Sequence, residues 1–131
     1  MNKIMKILSV DDSAIVRKII RGAVEVLNYD LLEASDGLEG KEVLQNHYED
    51  IGLILLDWNM PGMNGMELLM EIKKEPKYSS IPVMMVTTES EKENIVRAIK
   101  AGAVHYVVKP FTMEELIKKI LECLGQGDQD D

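Results

Sequence analysis

Ile51-Gly52-Leu53-Ile54-Leu55-Leu56-Asp57-Trp58-Asn59-Met60-Pro61-Gly62 is the stretch whose reading decides the fold. Residues 51–56 are apolar almost without interruption. A strand with one face in water alternates apolar and polar residues, whereas a parallel strand covered on both faces reads as a continuous apolar run. The run therefore reads as a central buried strand. It ends in a carboxylate, Asp57, and a loop rich in turn residues follows.

Outward from this strand, the same grammar repeats. Lys6–Val10 runs into Asp11-Asp12, Pro82–Val86 into Thr87, and Val104–Val108 into Lys109, while Asp30–Ala34 is a further strand. Helical-period segments lie between the strands. One runs from Ser13 to about Leu27, with Ile15, Ile19, Ala23, Val26 and Leu27 as its apolar stripe. A second opens at Asp36-Gly37 and reaches about Asn46. A third is capped by Asn64 and reaches about Glu75. Ser90-Glu91-Lys92-Glu93 reads as a capping box for a fourth, ending at Ala101-Gly102. Thr112-Met113-Glu114-Glu115 is a second capping box, opening a last helix that ends near Leu124-Gly125. Alternation of this kind predicts an α/β fold with a parallel sheet.

In such a sheet, ligands bind outside the carboxyl ends of the strands. Those ends carry Asp11, Asp12, Asp57, Thr87 and Lys109. Three neighbouring carboxylates repel one another, and a hard divalent cation relieves the repulsion. Mg²⁺ suits such a set, because it is held by one or two carboxylates with waters and phosphate oxygens. A carboxylate can also act as a nucleophile and form an aspartyl-phosphate. Asp57 is the better candidate, since it stands alone at the most buried strand while Asp11-Asp12 form a pair. Lys109 then balances the phosphoryl charge, and the Thr87 hydroxyl donates to a phosphoryl oxygen. Individually, each aspartate reads equally well as a turn or helix cap; the joint placement with Lys109 is what argues for a site. From sequence alone the Lys109-Pro110 bond reads as trans, since only about 5–6% of X-Pro bonds are cis in folded proteins.

The composition limits the alternatives. The chain has 131 residues and 46% apolar content, enough for one core. Its net charge is -8, from 15 Lys+Arg against 23 Asp+Glu, which argues against direct nucleic-acid binding. No apolar run approaches a membrane span. The amino-terminal segment reads straight into a strand without a signal peptide's apolar stretch. Together with the single Cys123, this implies a cytoplasmic protein. Residues 1–125 read as one domain, and 126–131 as an acidic tail expected to be disordered.

Four motifs together carry a family resemblance. They are Val10-Asp11-Asp12-Ser13, Leu56-Asp57-Trp58-Asn59-Met60-Pro61-Gly62-Met63-Asn64-Gly65, Val86-Thr87-Thr88-Glu89 and Val107-Val108-Lys109-Pro110-Phe111-Thr112. The chain resembles the receiver domains of two-component response regulators over about Lys6–Leu124, and within them the CheY-like chemotaxis family. The resemblance implies a flavodoxin-like doubly wound sheet of five parallel strands, ordered 2-1-3-4-5, with five helices. It implies phosphoryl transfer from a histidine kinase to Asp57. It implies Mg²⁺ bound by Asp12, Asp57 and the Asn59 main-chain carbonyl, with Asp11 acting through water. Thr87 and Tyr106 would form a coupled switch, Lys109 would bond the phosphoryl group, and the Lys109-Pro110 bond would be cis. Asn59 and Glu89 take the positions that tune dephosphorylation. Ala14, Arg17 and Thr88 depart from the usual chemotaxis pattern near the site rim.

Other residues have plainer readings. His47 and His105 read as surface residues without ligand spacing, and Cys123 as a small apolar residue. Trp58 is expected to be partly exposed. Most methionines read as core filler, and this is the first reading of Met60, Met63 and Met66 too, with a soft docking surface near the site as their alternative. Residues 88–124 balance six basic against six acidic side chains. In the family this region is the output surface.

The reading is a stand-alone signalling switch, not an enzyme apart from catalysing its own phosphotransfer and dephosphorylation. Its expected partners are a histidine kinase, a downstream target such as a flagellar motor switch or a phosphotransfer protein, and a phosphatase. It is expected to be monomeric. The alternatives are a phosphorelay intermediate, a Mg²⁺-dependent phosphatase, for which Asn59 lacks the second carboxylate expected there, and a binding module that is never phosphorylated.

Overall fold

Each apolar strand must be covered on both faces, and the helices that follow the strands supply the cover. A computed structural model describes residues 5–125. The elements run β1 (Lys6–Val10), α1 (Ala14–Val26), β2 (Asp30–Ala34), α2 (Gly37–His47), β3 (Ile51–Leu56), α3 (Gly65–Lys74), β4 (Val83–Thr87), α4 (Lys92–Lys100), β5 (His105–Val108) and α5 (Met113–Cys123). A 3₁₀ turn over Tyr48–Asp50 leads into β3. All strands pair in parallel, in the order β2-β1-β3-β4-β5. The expected α/β architecture, strand order and helix number are therefore present. The chain reverses direction of winding at β1/β3, which leaves a crevice beyond the strand ends.

The period of 2 along the strands divides the core. Leu8, Val10, Ile54, Leu56 and Met85 face α2 and α3, where Leu44, Leu68, Leu69 and Ile72 meet them. Ile7, Leu53, Leu55, Met84 and Val86 face α1 and α5, meeting Ile20, Ala23, Val24, Leu116 and Ile120. Register aligns the strand ends: Val10 lies between Ala34 and Leu56, Leu56 beside Met85, and Thr87 beside Val108.

Local chemistry sets the helix ends. Ser13, Asp36, Asn64 and Thr112 each accept a first-turn N–H at the N-cap, and Asn64 and Thr112 complete capping boxes with Glu67 and Glu115. The expected box at Ser90 does not form. Glu91 is the N-cap of α4 and makes no side-chain cap bond. The preceding residues are tied elsewhere: the Glu89 N–H donates to the Thr87 hydroxyl and the Glu89 carboxylate accepts from Asn94. Gly102, with φ of +119°, ends α4 as expected.

The α1 stripe needs a second correction. Ile20, Ala23 and Val24 are its buried residues, with Val16 and Leu27 packed beside them. Ile15 and Val26 are 74% and 69% exposed, and Ile19 is exposed too. One residue turns a helix by 100°, so a stripe chosen one position early faces the rim and not the sheet. Met60 and Met66 are buried in the core, and Met63 is half-buried against it, so this trio does not form a docking surface. The expectation for 126–131 lies outside the described residues.

Candidate functional site

The strand ends continue the sheet by one residue each. Asp11 N–H donates to Ala34 O at 3.0 Å, Asp57 N–H to Val10 O at 3.0 Å, and Lys109 N–H to Thr87 O at 2.8 Å. Backbone hydrogen bonding thus fixes where these side chains begin. Asp11 and Asp57 are buried, at 2% and 5% exposure, and Asp12 is exposed. One carboxylate oxygen from each of the three lies within 4.8 Å of the others. Lys109 Nζ stands 3.0 Å from Asp11 Oδ2 and 3.5 Å from Asp57 Oδ2.

Burial raises the pKa of Asp11, and the Asp57 charge adds to this; the Ser13 N–H, at 2.8 Å from Oδ1, and the Lys109 amine oppose it. Two buried carboxylates against one amine leave an excess of negative charge that suits a hard cation. The donor set is oxygen only, two of its members are buried and one is open to solvent, so the residues present fit Mg²⁺. Asp11, Asp12 and Asp57 could hold it. Asn59 is exposed beside them, and its N–H lies 3.4 Å from Asp57 Oδ1.

Thr87 is fully buried at the end of β4, and its hydroxyl accepts from Glu89 N–H at 3.3 Å. The half-buried Tyr106 ring lies against the core, and its hydroxyl donates to Glu89 O at 2.6 Å. Burial first, then the Glu89 and Asp57 charges, push its pKa up to about 12, so the phenol remains a donor at neutral pH. The Lys109-Pro110 bond is cis, unlike the reading from sequence alone and as the resemblance implies. Trp58 is half-buried.

Two contributors to the site escaped the sequence reading. Gly65 N–H donates to Trp58 O at 2.8 Å, and a Cβ at Gly65 would lie 2.0 Å from Asp57 O. Only glycine admits this approach of α3 to the Asp57 loop; its place directly after the Asn64 cap was the available signal. Arg17, noted only as a departure, donates from Nη1 to the Asp11 carbonyl at 2.7 Å and pairs with Glu33 at 3.2 Å. No local pattern joins residues on α1 and β2 in this way. His105 pairs with Glu122 at 3.0 Å, and Cys123, half-buried, has its pKa raised to about 11 by burial first.

Comparison with known proteins agrees with this geometry. The response regulator receiver domain matches residues 7–121. A chemotaxis protein CheY homolog of Campylobacter jejuni is 44% identical over 124 residues, covering 94% of this chain and 95% of that one. The structure of Vibrio cholerae chemotaxis protein CheY4 superposes with a TM-score of 0.86 at 31% identity, covering 93% of this chain and all of that one. A CheX–CheY–BeF3–Mg complex from Borrelia burgdorferi matches with a TM-score of 0.85 at 25% identity, covering 90% of this chain and 87% of that one.

Proposed function

We propose the working of the site from the premise that this chain belongs to the response regulator receiver family, as a chemotaxis-type response regulator. Asp57 accepts a phosphoryl group from a histidine kinase, and Asp12, Asp57 and the Asn59 carbonyl would hold Mg²⁺, with Asp11 acting through water. The observation that carries this reading is Asp57 buried at a strand end within 4.8 Å of two further carboxylates and 3.5 Å from the Lys109 amine. When bound, Mg²⁺ neutralises phosphoryl oxygens and lowers the cost of charge gathering there. The chain's own residues do the rest. Asp57 Oδ attacks phosphorus, the donor's bond to phosphorus breaks, and its electron pair leaves with the donor. Lys109 pairs with a phosphoryl oxygen, and Thr87 gives up the Glu89 N–H to donate to another.

Thr87 and Tyr106 both contact Glu89, one through its N–H and one through its carbonyl. We read this shared residue as the switch. Movement of the Thr87 hydroxyl alters the 88–91 segment and with it the setting of the Tyr106 ring. Asn59 and Glu89 at the rim tune the dephosphorylation rate. Phosphorylation then shifts an existing equilibrium; a change from mostly inactive to mostly active requires about 5.5 kcal/mol of differential stabilisation.

The readout is partner binding at the α4–β5–α5 side, where Val96, Ile99 and Val104 are exposed. A kinase, a downstream target and a phosphatase are the partners this assigns. The Borrelia CheY held with CheX, BeF3 and Mg supports both the metal and a regulatory partner. The protein acts as a cytoplasmic monomer; among the described residues no helix is long and apolar enough to cross a membrane. Residues 1–125 are the receiver unit, and its only catalysis is of its own phosphorylation and dephosphorylation.

Incubation with Mg²⁺ and acetyl phosphate tests this. A mass gain of one phosphoryl group is expected, and none in Asp57→Asn or with Mg²⁺ chelated. No gain in the wild type, or a gain that persists in Asp57→Asn, contradicts the assignment. Pull-down with and without a phosphoryl mimic separates a motor target from a phosphotransfer protein.

A further inference from the structure

Four contacts join Trp58 to Thr87 by way of α4. The Arg97 guanidinium lies 5.8 Å from the Trp58 ring centroid, within cation–π range. Arg97 Nη1 donates to Asn94 Oδ1 at 3.2 Å, and Asn94 Nδ2 donates to Glu89 Oε2 at 2.8 Å. Glu89 N–H donates to Thr87 Oγ1 at 3.3 Å. Trp58 follows Asp57 directly, and Thr87 closes the strand beside it. The contacts therefore form an arc along one side of the site mouth, from the residue after the phospho-acceptor to the buried hydroxyl.

We propose that Asn94 and Arg97 are positioning residues that hold the Glu89 carboxylate at the rim and thereby set how long a phosphoryl group stays on Asp57. The proposal rests on Asp57 being the phospho-acceptor. Asn94 and Arg97 are three residues apart and share one face of α4. Asn94 N–H is bonded to Glu91 O at 3.0 Å, so the helix fixes where the amide stands. Its two ends are then both used: the oxygen accepts from Arg97 and the amide NH2 donates to Glu89. Arg97 in turn is anchored on Trp58, so the arc is closed at both ends by groups next to the reacting carboxylate and its neighbour hydroxyl.

Loss of the phosphoryl group needs water to attack phosphorus. The water oxygen bonds to phosphorus, the bond from Asp57 Oδ to phosphorus breaks, and its electron pair returns to the carboxylate. Inorganic phosphate leaves with the water oxygen and one of its protons; the other proton goes to solvent. A carboxylate free to swing at the rim can accept that proton as the attack proceeds. Asn94 occupies the carboxylate and draws it towards α4, which withholds the base. The same bond restrains the 88–91 segment, whose main chain Thr87 and Tyr106 share.

The experiment uses the full chain, phosphorylated with acetyl phosphate and Mg²⁺, desalted into Mg²⁺ buffer, and followed by intact mass. Asn94→Ala is expected to shorten the phosphoryl lifetime about 3- to 10-fold, a small part of what a well-placed general base supplies. Arg97→Ala shortens it less and alters Trp58 emission in the unphosphorylated protein, and Arg97→Lys restores both. In a Glu89→Ala background, Asn94→Ala has no further effect. A lifetime within twofold of wild type in Asn94→Ala overturns the proposal, as does a shortening that survives intact without the Glu89 carboxylate. Failure of the wild type to gain a phosphoryl group at all is a different result, visible before any decay is timed, and it strikes the phospho-acceptor reading instead.

Discussion

The interior of β1, β3 and β4 and the carboxyl ends of the same strands are almost equally buried, yet they obey opposite rules. Leu8, Ile54, Leu56 and Met85 are fully buried and apolar. One step beyond, Asp11 is 2% exposed, Asp57 5% and Thr87 0%. Burial stabilises the first group in proportion to apolar area. It works against the second, because a desolvated carboxylate needs a partner. The difference teaches that the sheet is a platform: its interior supplies the stability, and its edge gives some of that up to hold charge where chemistry needs it.

The largest effect expected on this contrast comes from the interior. Ile54→Ala removes a fully buried side chain from the core and should cost about 2–5 kcal/mol in urea unfolding, with Asp57 of the folded fraction still accepting a phosphoryl group. A cost below about 1 kcal/mol would mean that the interior is not the source of stability.

At the edge, Mg²⁺ at 100 times its Kd should raise stability by about 2.7 kcal/mol. Chelation should remove that gain in the wild type and leave Asp12→Asn unaffected. A chelator-independent melting curve in the wild type would remove the cation from the account.

A pH series separates burial from pairing in the metal-free protein. Asp11 has a raised pKa when folded. The folded state therefore holds this proton more tightly than the unfolded state, so stability falls as pH rises from the ordinary value of 3.8 through the raised one. Below both values the cost is absent. Asp11→Asn should flatten this slope in urea midpoints taken with chelator present; a slope unchanged from wild type would show that Lys109 and the Ser13 N–H fully compensate burial.

Two single-hydroxyl changes probe the smaller terms. Tyr106→Phe deletes the 2.6 Å bond to Glu89 O and should cost about 1 kcal/mol while phosphorylation proceeds. Retained switching in this variant, read by partner affinity, would shift the signal to another route. Ser9 Oγ is buried with no hydrogen-bond partner, so Ser9→Ala should be neutral or stabilising by up to about 1 kcal/mol. A clear loss would reveal a partner for the hydroxyl.

The contrast also explains what could be read from the chain. The apolar runs are local and nearly continuous in β1 and β3, which fall on the expected bounds, and Asp11, Asp57, Thr87 and Lys109 fall at strand ends by the same logic. Helix faces were less legible. Ile15, Ile19 and Val26 have helical spacing on α1 but stand exposed, because neighbouring positions offered a second stripe and only the sheet decides between them. The Ser90 box had the right residues, but contacts from Thr87 and Asn94 hold the preceding segment outside the helix. Arg17 on Glu33 and Arg97 over Trp58 join separate elements through side chains, and no spacing within one element encodes them.

The central claim is that the buried carboxylate of the central strand, and not the acidic pair beside it, carries the phosphoryl group. Borohydride reduction of the phosphorylated chain converts an acyl phosphate into the corresponding alcohol, and peptide mass mapping then locates it. Homoserine at position 57 alone is the predicted result; homoserine at position 11 or 12, or at no position in a chain that has gained the phosphoryl mass, would contradict it.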